Sequence, residues 1–255
     1  MSTTTLPQAR PYTRSGIYEW LTTVDHKKIG IMYMVTAFTC FLFGGVLALM
    51  IRSELAAPGL QFLTPEQYNS VFGLHAINMI FLFVMPMTTG LGNYMLPIRI
   101  GAADMAFPRV NALSFWIFLG GAIVVEMSFL FGGAPTGWTL YAPLSTRQPE
   151  TGVDLLVLGL ILTGISSILG SINFMVTVFR MRAPGMTLLR MPMFVWGTLV
   201  TAVLLLFSIP VVTAGLAMIF IDRNYGAGSS SLRWAAIPSC GSTSSGSSPT
   251  PRCTS

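Results

Sequence analysis

The chain holds two histidines, and His75 sits inside an apolar run, in the stretch Phe72-Gly73-Leu74-His75-Ala76-Ile77-Asn78. An ionisable or metal-binding side chain is costly in apolar surroundings and marks a functional site by default. Imidazole is a good axial ligand for haem iron. It can equally well hydrogen-bond a neighbouring helix, and the residues alone leave both readings open. His26 differs, because Lys27 and Lys28 follow it and it is expected at a membrane edge in contact with water. A second set of polar residues, Asn93, Asp104, Asn111, Ser166, Ser167 and Asn173, recurs towards one end of successive apolar runs. Hydroxyls and amides both donate and accept, so such a set can order water into a proton route. The same types also serve as hydrogen-bonding glue between helices, which is the reading they favour by themselves. Arg52 ends an apolar run and is followed by Ser53 and Glu54. Its default role is to snorkel to headgroups, although its fork also suits a carbonyl or carboxylate of a cofactor. Trp138, in Gly132-Gly133-Ala134-Pro135-Thr136-Gly137-Trp138, is the kind of residue that anchors a membrane interface.

The elements that must position these residues are membrane helices. Only 9% of the 255 residues are charged and 53% are hydrophobic, whereas about 25% are charged in soluble domains. One soluble core cannot hide that much apolar surface, so lipid is the solvent for much of it. Five runs reach the roughly 20 residues that a helix needs to cross the hydrocarbon layer. They are Ile29–Ile51, about Val71–Pro97, about Ala112–Leu130, about Leu155–Phe179 and about Met193–Ile221. The second is expected to be interrupted at Pro86, Gly90 and Gly92, and the fifth carries Pro210. Both residue types are tolerated in membrane helices when neighbours satisfy the freed carbonyls. Gly44, Gly45, Gly90, Gly92, Gly120, Gly121 and Gly170 are expected where helices pack closely.

Charge sets the orientation. Arg10, Arg14, Lys27, Lys28, Arg99, Arg109, Arg180, Arg182 and Arg190 fall on one side, and only Arg52, Arg147 and Arg223 on the other. The positive-inside rule then puts the N-terminus in the cytoplasm. The polar opening, residues 1–28, has no signal-peptide core and is expected to stay there. The net charge of +5 comes from these flanking residues, so it argues for membrane surfaces and not for nucleic acid. Cys40, Cys240 and Cys253 form neither a disulfide framework nor a metal spacing. No phosphate-binding glycine loop, nucleophile elbow or zinc pattern is present, which leaves a soluble-enzyme reading without support. After a short turn at Asp222–Gly226, residues 228–255 are dominated by Ser, Gly, Pro and Thr and are expected to be disordered.

Residues 24–227 resemble subunit 1 of the haem–copper oxygen reductases, specifically A-type cytochrome c oxidases. The resemblance rests on Val24-Asp25-His26-Lys27-Lys28-Ile29-Gly30-Ile31-Met32-Tyr33, Gly92-Asn93-Tyr94 and Ile100-Gly101-Ala102-Ala103-Asp104-Met105-Ala106-Phe107-Pro108-Arg109. It continues through Gly137-Trp138, the stretch from Ser166 to Phe174, Met181-Arg182-Ala183-Pro184-Gly185-Met186 and Asp222-Arg223-Asn224. The resemblance implies an all-α polytopic bundle, with residues 29–227 supplying five spans of a roughly twelve-helix fold, each crossing being helical because lipid offers the backbone no partners. It implies that His75 is one of two axial ligands of a low-spin haem A, although Ala76 stands where the family usually has glycine. Arg52 matches the arginine that bonds the haem formyl group, and Trp138 a tryptophan beside the propionates. Asp104 matches the entrance of a proton pathway, with Asn93, Asn111, Ser167 and Asn173 along it.

By the same resemblance, the full-length protein passes electrons from cytochrome c to oxygen and pumps protons, in a bacterial plasma membrane and beside subunits 2 and 3. The other ligand of the low-spin haem, the ligand of a high-spin haem and all copper ligands belong to later helices. No catalytic residue is therefore expected in this chain, and by itself it is expected to be inactive. A quinol oxidase fragment and a non-enzymatic membrane fragment are the alternatives. The tail has its own explanation. Codons that encode Gly228–Thr254, read two bases later, can spell QLFFAMGGDPVLWQHLFWFFAHPEVY. This resembles the family's next segment, whose HPEVY motif carries a copper ligand, a proton-carrying glutamate and the active-site tyrosine. The tail is thus expected to be an out-of-frame translation, and as translated to bind no copper.

Overall fold

A computed structural model describes residues 16–141 and 144–225; most of the polar opening and the tail from Gly228 lie outside them. The regular elements among the described residues are all helices, without strands. A short α1, Ile17–Leu21, precedes α2, His26–Glu54, which starts where the Asp25 carboxylate accepts the Lys27 amide at 2.9 Å. The next span is built from α3, Pro65–Ile77, a wider π-helical segment, Asn78–Val84, and α4, Met85–Ile100. Then come α5, Pro108–Leu130, the short α6, Leu144–Arg147, and α7, Thr151–Arg180. A 3-10 turn, Leu188–Arg190, leads into α8, Met193–Tyr225. Five helical stretches are long and apolar enough to cross a membrane, the number expected.

The helices overrun the apolar runs, and α2 and α3 begin on polar side-chain caps, Asp25 and Thr64. Thr64 and Gln67 form a reciprocal capping box, and Pro65 follows at the first helical position, where a missing amide costs nothing. At the far end of this span Gly101 takes φ +73°, a left-handed conformation that stops the helix. The break in the span differs from the one expected. Gly90 and Gly92 lie in regular helix, and the irregularity is the π segment just before Pro86. A proline ring clashes with the carbonyl four residues earlier, here that of Leu82 inside the widened segment. The glycines have another use. A Cβ on Gly90 would lie 2.9 Å from the Gly30 carbonyl, and one on Gly92 would lie 3.0 Å from the Phe174 ring.

The spans run up and down, so their ends form two clusters. At one end the Ala183 amide donates to the Ile100 carbonyl at 2.9 Å, and the Ala106 amide to the Thr177 hydroxyl at 2.9 Å. At the other, Arg223 reaches back to Asp154 and to the 145–150 segment. Asp222 to Tyr225 continue α8 and do not form the expected turn. Close packing is uneven along the chain. Gly121 and Gly159 let α5 and α7 touch backbone to backbone, with each built Cβ within 2.9 Å of the other's carbonyl. Gly44 meets Met79, whereas Gly45, Gly120 and Gly170 face open space, contrary to the packing role expected of them. The core between the spans is formed by Ile29, Leu47, Ile77, Leu82, Val125 and Val157.

Candidate functional site

His75 occupies the third turn of α3, half-buried, with Nδ1 2.9 Å from the Gly44 carbonyl of α2. A carbonyl only accepts, so Nδ1 carries the hydrogen and Nε2 is left with a lone pair. That is the state in which a histidine ligates a metal, with its other nitrogen fixed by a backbone oxygen. The two readings that the sequence left open, interhelical hydrogen bond and ligand, use different nitrogens and are compatible. Gly44 makes the contact because Asn78 and Met79 of the following turn press against it, leaving no room for a side chain.

Arg52 and Trp138 lie towards the end of the bundle beyond His75. Arg52 is in the last turn of α2, eight residues and about 12 Å of helix rise beyond Gly44. Both side chains are exposed. The loop that carries Trp138 packs on α3 through Gly73, where an added Cβ would be 3.6 Å from Gly137. The sequence intervals of 23 residues from Arg52 to His75 and 63 from His75 to Trp138 thus collapse onto one end of the α2–α3 pair. An imidazole whose Nε2 is left with a lone pair fits the iron of a haem, and a guanidinium and an indole exposed towards the same end of the bundle are types that suit its polar edge.

The opposite end gathers the other candidates. His26, expected in water, is 4% exposed. Its Nδ1 lies 3.0 Å from Asp104 Oδ1, which also accepts the Met105 amide at 2.7 Å. The lysines that follow it occupy other faces of the helix, because neighbouring residues on a helix point apart. The loop holding Asp104 is pinned by α7: the fully buried Asn173 accepts the Phe107 amide at 3.0 Å and donates to the Phe107 carbonyl at 3.4 Å. Asn93 and Asn111 are also buried, with Oδ1 of the first and Nδ2 of the second lacking protein partners. Buried polar atoms of this kind are usually satisfied by water.

Further along, the Tyr33 hydroxyl lies 3.1 Å from Ser114 Oγ and 3.3 Å from Ser166 Oγ, and Ser166 donates to the Ser114 carbonyl at 2.6 Å. This triad joins α2, α5 and α7. Tyr33 and Ser114 were not singled out from sequence, because a tyrosine or serine in an apolar run reads as packing until its partners are known. Tyr33 and Ser166 line a cavity of about 270 Å³ between the helices, with Ser167 and Ser171 on the same wall. Ser167 turns its hydroxyl back to the Thr163 carbonyl at 2.9 Å, leaving its lone pairs to the cavity. At about 30 Å³ each, several waters fit there. Asp104, Asn93, Asn111, Ser166, Ser167 and Asn173 are therefore buried or half-buried, and none is a fully exposed surface group.

The profile of the family described as "Cytochrome C and Quinol oxidase polypeptide I" matches residues 28–238, running past Ala227 into the compositionally distinct tail. The chain is 45% identical over 226 residues to the "Probable cytochrome c oxidase subunit 1-alpha" of Streptomyces avermitilis, covering 87% of this chain and 39% of that protein. It is 47% identical over 223 residues to the "Quinol oxidase subunit 1" of Bacillus subtilis, covering 86% and 34%. It is 46% identical over 213 residues to the same organism's "Cytochrome c oxidase subunit 1", covering 83% and 34%. The chain thus spans less than two fifths of the length of these relatives. With five helices apolar enough to cross a membrane and a family match over most of its length, this integral membrane chain belongs to the cytochrome c and quinol oxidase polypeptide I family.

Proposed function

We propose that this chain is the N-terminal part of the catalytic subunit of a respiratory terminal oxidase, which in its full-length form passes electrons from cytochrome c to oxygen while pumping protons. The observation that carries the reading is the His75 Nδ1 contact to the Gly44 carbonyl, because it leaves Nε2 available for iron. A bound low-spin haem supplies a one-electron redox centre. His75 would ligate its iron, Arg52 would donate to its formyl oxygen, and Trp138 would lie beside its propionates. Haem A is the form that carries a formyl group for Arg52. The chain's other histidine is engaged by Asp104 at the opposite end; by resemblance to the family, the second ligand of this iron and those of the high-spin haem and copper would come from a later segment.

Protons enter at Asp104, whose carboxylate His26 and the Met105 amide hold in place. Asn93 and Asn111 bind water beyond it through their unpartnered amide atoms, and Asn173 fixes the loop over the entrance. Tyr33, Ser114 and Ser166 hand the proton inward, each hydroxyl able to donate and accept. Ser167 faces the same cavity. The orientation, with Asp104 towards the cytoplasm, rests on the charge asymmetry of the loops. In a bacterial plasma membrane, this subunit works beside subunits 2 and 3 and receives electrons from cytochrome c through the assembled complex.

Quinol is the second electron donor to consider, because relatives named for each donor match at nearly the same identity, 47% and 46%. Membranes carrying the intact, in-frame gene decide between them. Oxidation of cytochrome c, with quinol turned over only through a cytochrome intermediate, supports the leading reading. Direct quinol oxidation assigns the other donor, and absence of a haem signal from such membranes refutes both.

A further inference from the structure

The connection from α7 to α8 carries two features that this scheme does not use. The first is charge. Between Asp154 and Asp222 the sequence holds no acid, and its three basic residues there, Arg180, Arg182 and Arg190, all fall in this connection or at its edge. Residues 67–103 also hold no acid, and their one arginine, Arg99, lies in the last turn of α4. The Ala183 amide donates to the Ile100 carbonyl at 2.9 Å, and a Cβ built on Gly101 would lie 3.0 Å from that of Ala183. This contact brings the backbone at Arg99 next to the backbone at Arg182. The acids at this end are already engaged: Asp25 caps α2, His26 holds Asp104, and Glu19 pairs with Lys28. The second feature is bare apolar surface. Leu189 is 91% exposed, and Met193, which opens α8, is 87% exposed. Neither sits on a loose segment. Met191, between them, is buried against Ile100 and Val195, and the Trp196 indole N–H donates to the Leu188 carbonyl at 3.1 Å. With Met191 anchored inward, Leu189 and Met193 are held outward beside Arg190.

Arginines without acids on their own elements attract anions, and exposed leucine and methionine favour an apolar phase over water. The connection joins two spans, so it lies where hydrocarbon gives way to headgroups. A further membrane helix would cover the sides of α7 and α8, not the turn beyond their ends. We propose that this connection is a binding surface for anionic phospholipid, with Arg99, Arg180, Arg182 and Arg190 holding phosphate oxygens and Leu189 and Met193 lying among the acyl chains. A guanidinium suits phosphate because its N–H groups form a planar fork. Phosphatidylcholine offers the same phosphate but cancels its charge within its own headgroup, so this surface selects lipid by net charge. It requires only the five spans of a membrane protein and does not depend on the oxidase reading.

Native mass spectrometry of the full chain in detergent micelles, titrated with dioleoylphosphatidylglycerol or dioleoylphosphatidylcholine, tests it by counting bound lipid. The expected result is preferential retention of phosphatidylglycerol, weakened about fivefold by Arg182→Gln and by Arg190→Gln, the effect of one basic residue at an anionic surface. Equal retention of the two lipids, or no loss in either variant, refutes the surface. Displacement of the lipid by inorganic phosphate would reduce it to a site for free anions and refute the lipid assignment. A fluorophore on Leu189→Cys, in a chain that also carries Cys40→Ala, Cys240→Ala and Cys253→Ala, tests insertion in phosphatidylglycerol vesicles. Quenching by lipids brominated on their acyl chains is expected. Quenching by aqueous acrylamide alone would leave this face to a protein partner and overturn the proposal. Should the labelled variant fail to insert, the titration of the unmodified chain still decides the lipid preference.

Discussion

Replacing Arg223 with methionine removes five hydrogen bonds at once. Nε and Nη2 reach the two oxygens of Asp154 at 2.6 and 3.4 Å, while Nη1 reaches the carbonyls of Ser145 and Gln148 and Nη2 that of Glu150, at 2.6 to 2.9 Å. The arginine side chain is only 6% exposed, so it is desolvated in the folded state and its partners have few substitutes. Breaking one side of a buried pair usually costs about 3–5 kcal/mol. Asp154 retains 27% exposure and a bond from Asn224 at 3.4 Å, so water takes up part of the loss. The expected cost is about 3 kcal/mol, or roughly a hundredfold in the ratio of folded to unfolded chain. Methionine keeps the length and helix propensity of the side chain, so α8 should remain helical while the 144–150 segment loosens. Reversible denaturant unfolding in mixed micelles, followed by circular dichroism, measures the cost. Limited proteolysis between Tyr141 and Thr151 reports the local effect. Adding Asp154→Leu should recover part of the loss, because the stranded carboxylate is removed as well. A methionine variant within about 0.5 kcal/mol of the original would behave like an ordinary surface substitution. The clasp would then be refuted as the device that closes this end of the bundle.

The other predictions concern the proposed function. In the intact enzyme, His75→Ala should abolish the low-spin haem band, whereas Arg52→Ala should keep the haem and shift its visible absorption; an unchanged spectrum for the histidine variant removes the ligand assignment. Asp104→Asn should suppress proton pumping and slow turnover, since an amide cannot gather and release protons, and Arg109→Gln should do much less. Wild-type proton stoichiometry in the Asp104 variant would return the polar chain to a packing role. Single-cysteine variants in the Trp138 loop should label from outside sealed cells, and labelling only from the cytoplasmic side would invert the topology. Genomic DNA should show codons at Gly228–Ser255 that yield the alternative frame ending in HPEVY, with one base lost or two gained near Ala227. Codons that cannot do so would refute the frameshift.

Much of the architecture was legible without coordinates. Five runs of the right length foretell a five-span chain, because hydrocarbon thickness and backbone satisfaction leave few other solutions, and the nine basic residues on one side against three on the other set the orientation proposed for it. The motifs from Asp25 to Asn224, in their order, pointed to a family that the comparison then showed. His75 could be singled out because a lone imidazole in an apolar run is exceptional.

Other features depended on which surfaces meet. A histidine followed by two lysines reads as solvated, yet His26 is buried because Asp104, 78 residues away, folds over it. Residues Asp222–Asn224 read as a turn, yet they stay helical because Arg223 finds its acceptors on α7 and the loop before it. Tyr33, Ser114 and Ser166 became a set only when three helices brought them within 3.3 Å. Apolar length is a property of a segment and its solvent, so the sequence by itself determined the spans. The partner of a buried polar group is a property of two segments, and only the tertiary structure decided which nitrogen of His75 is bound and which remains open.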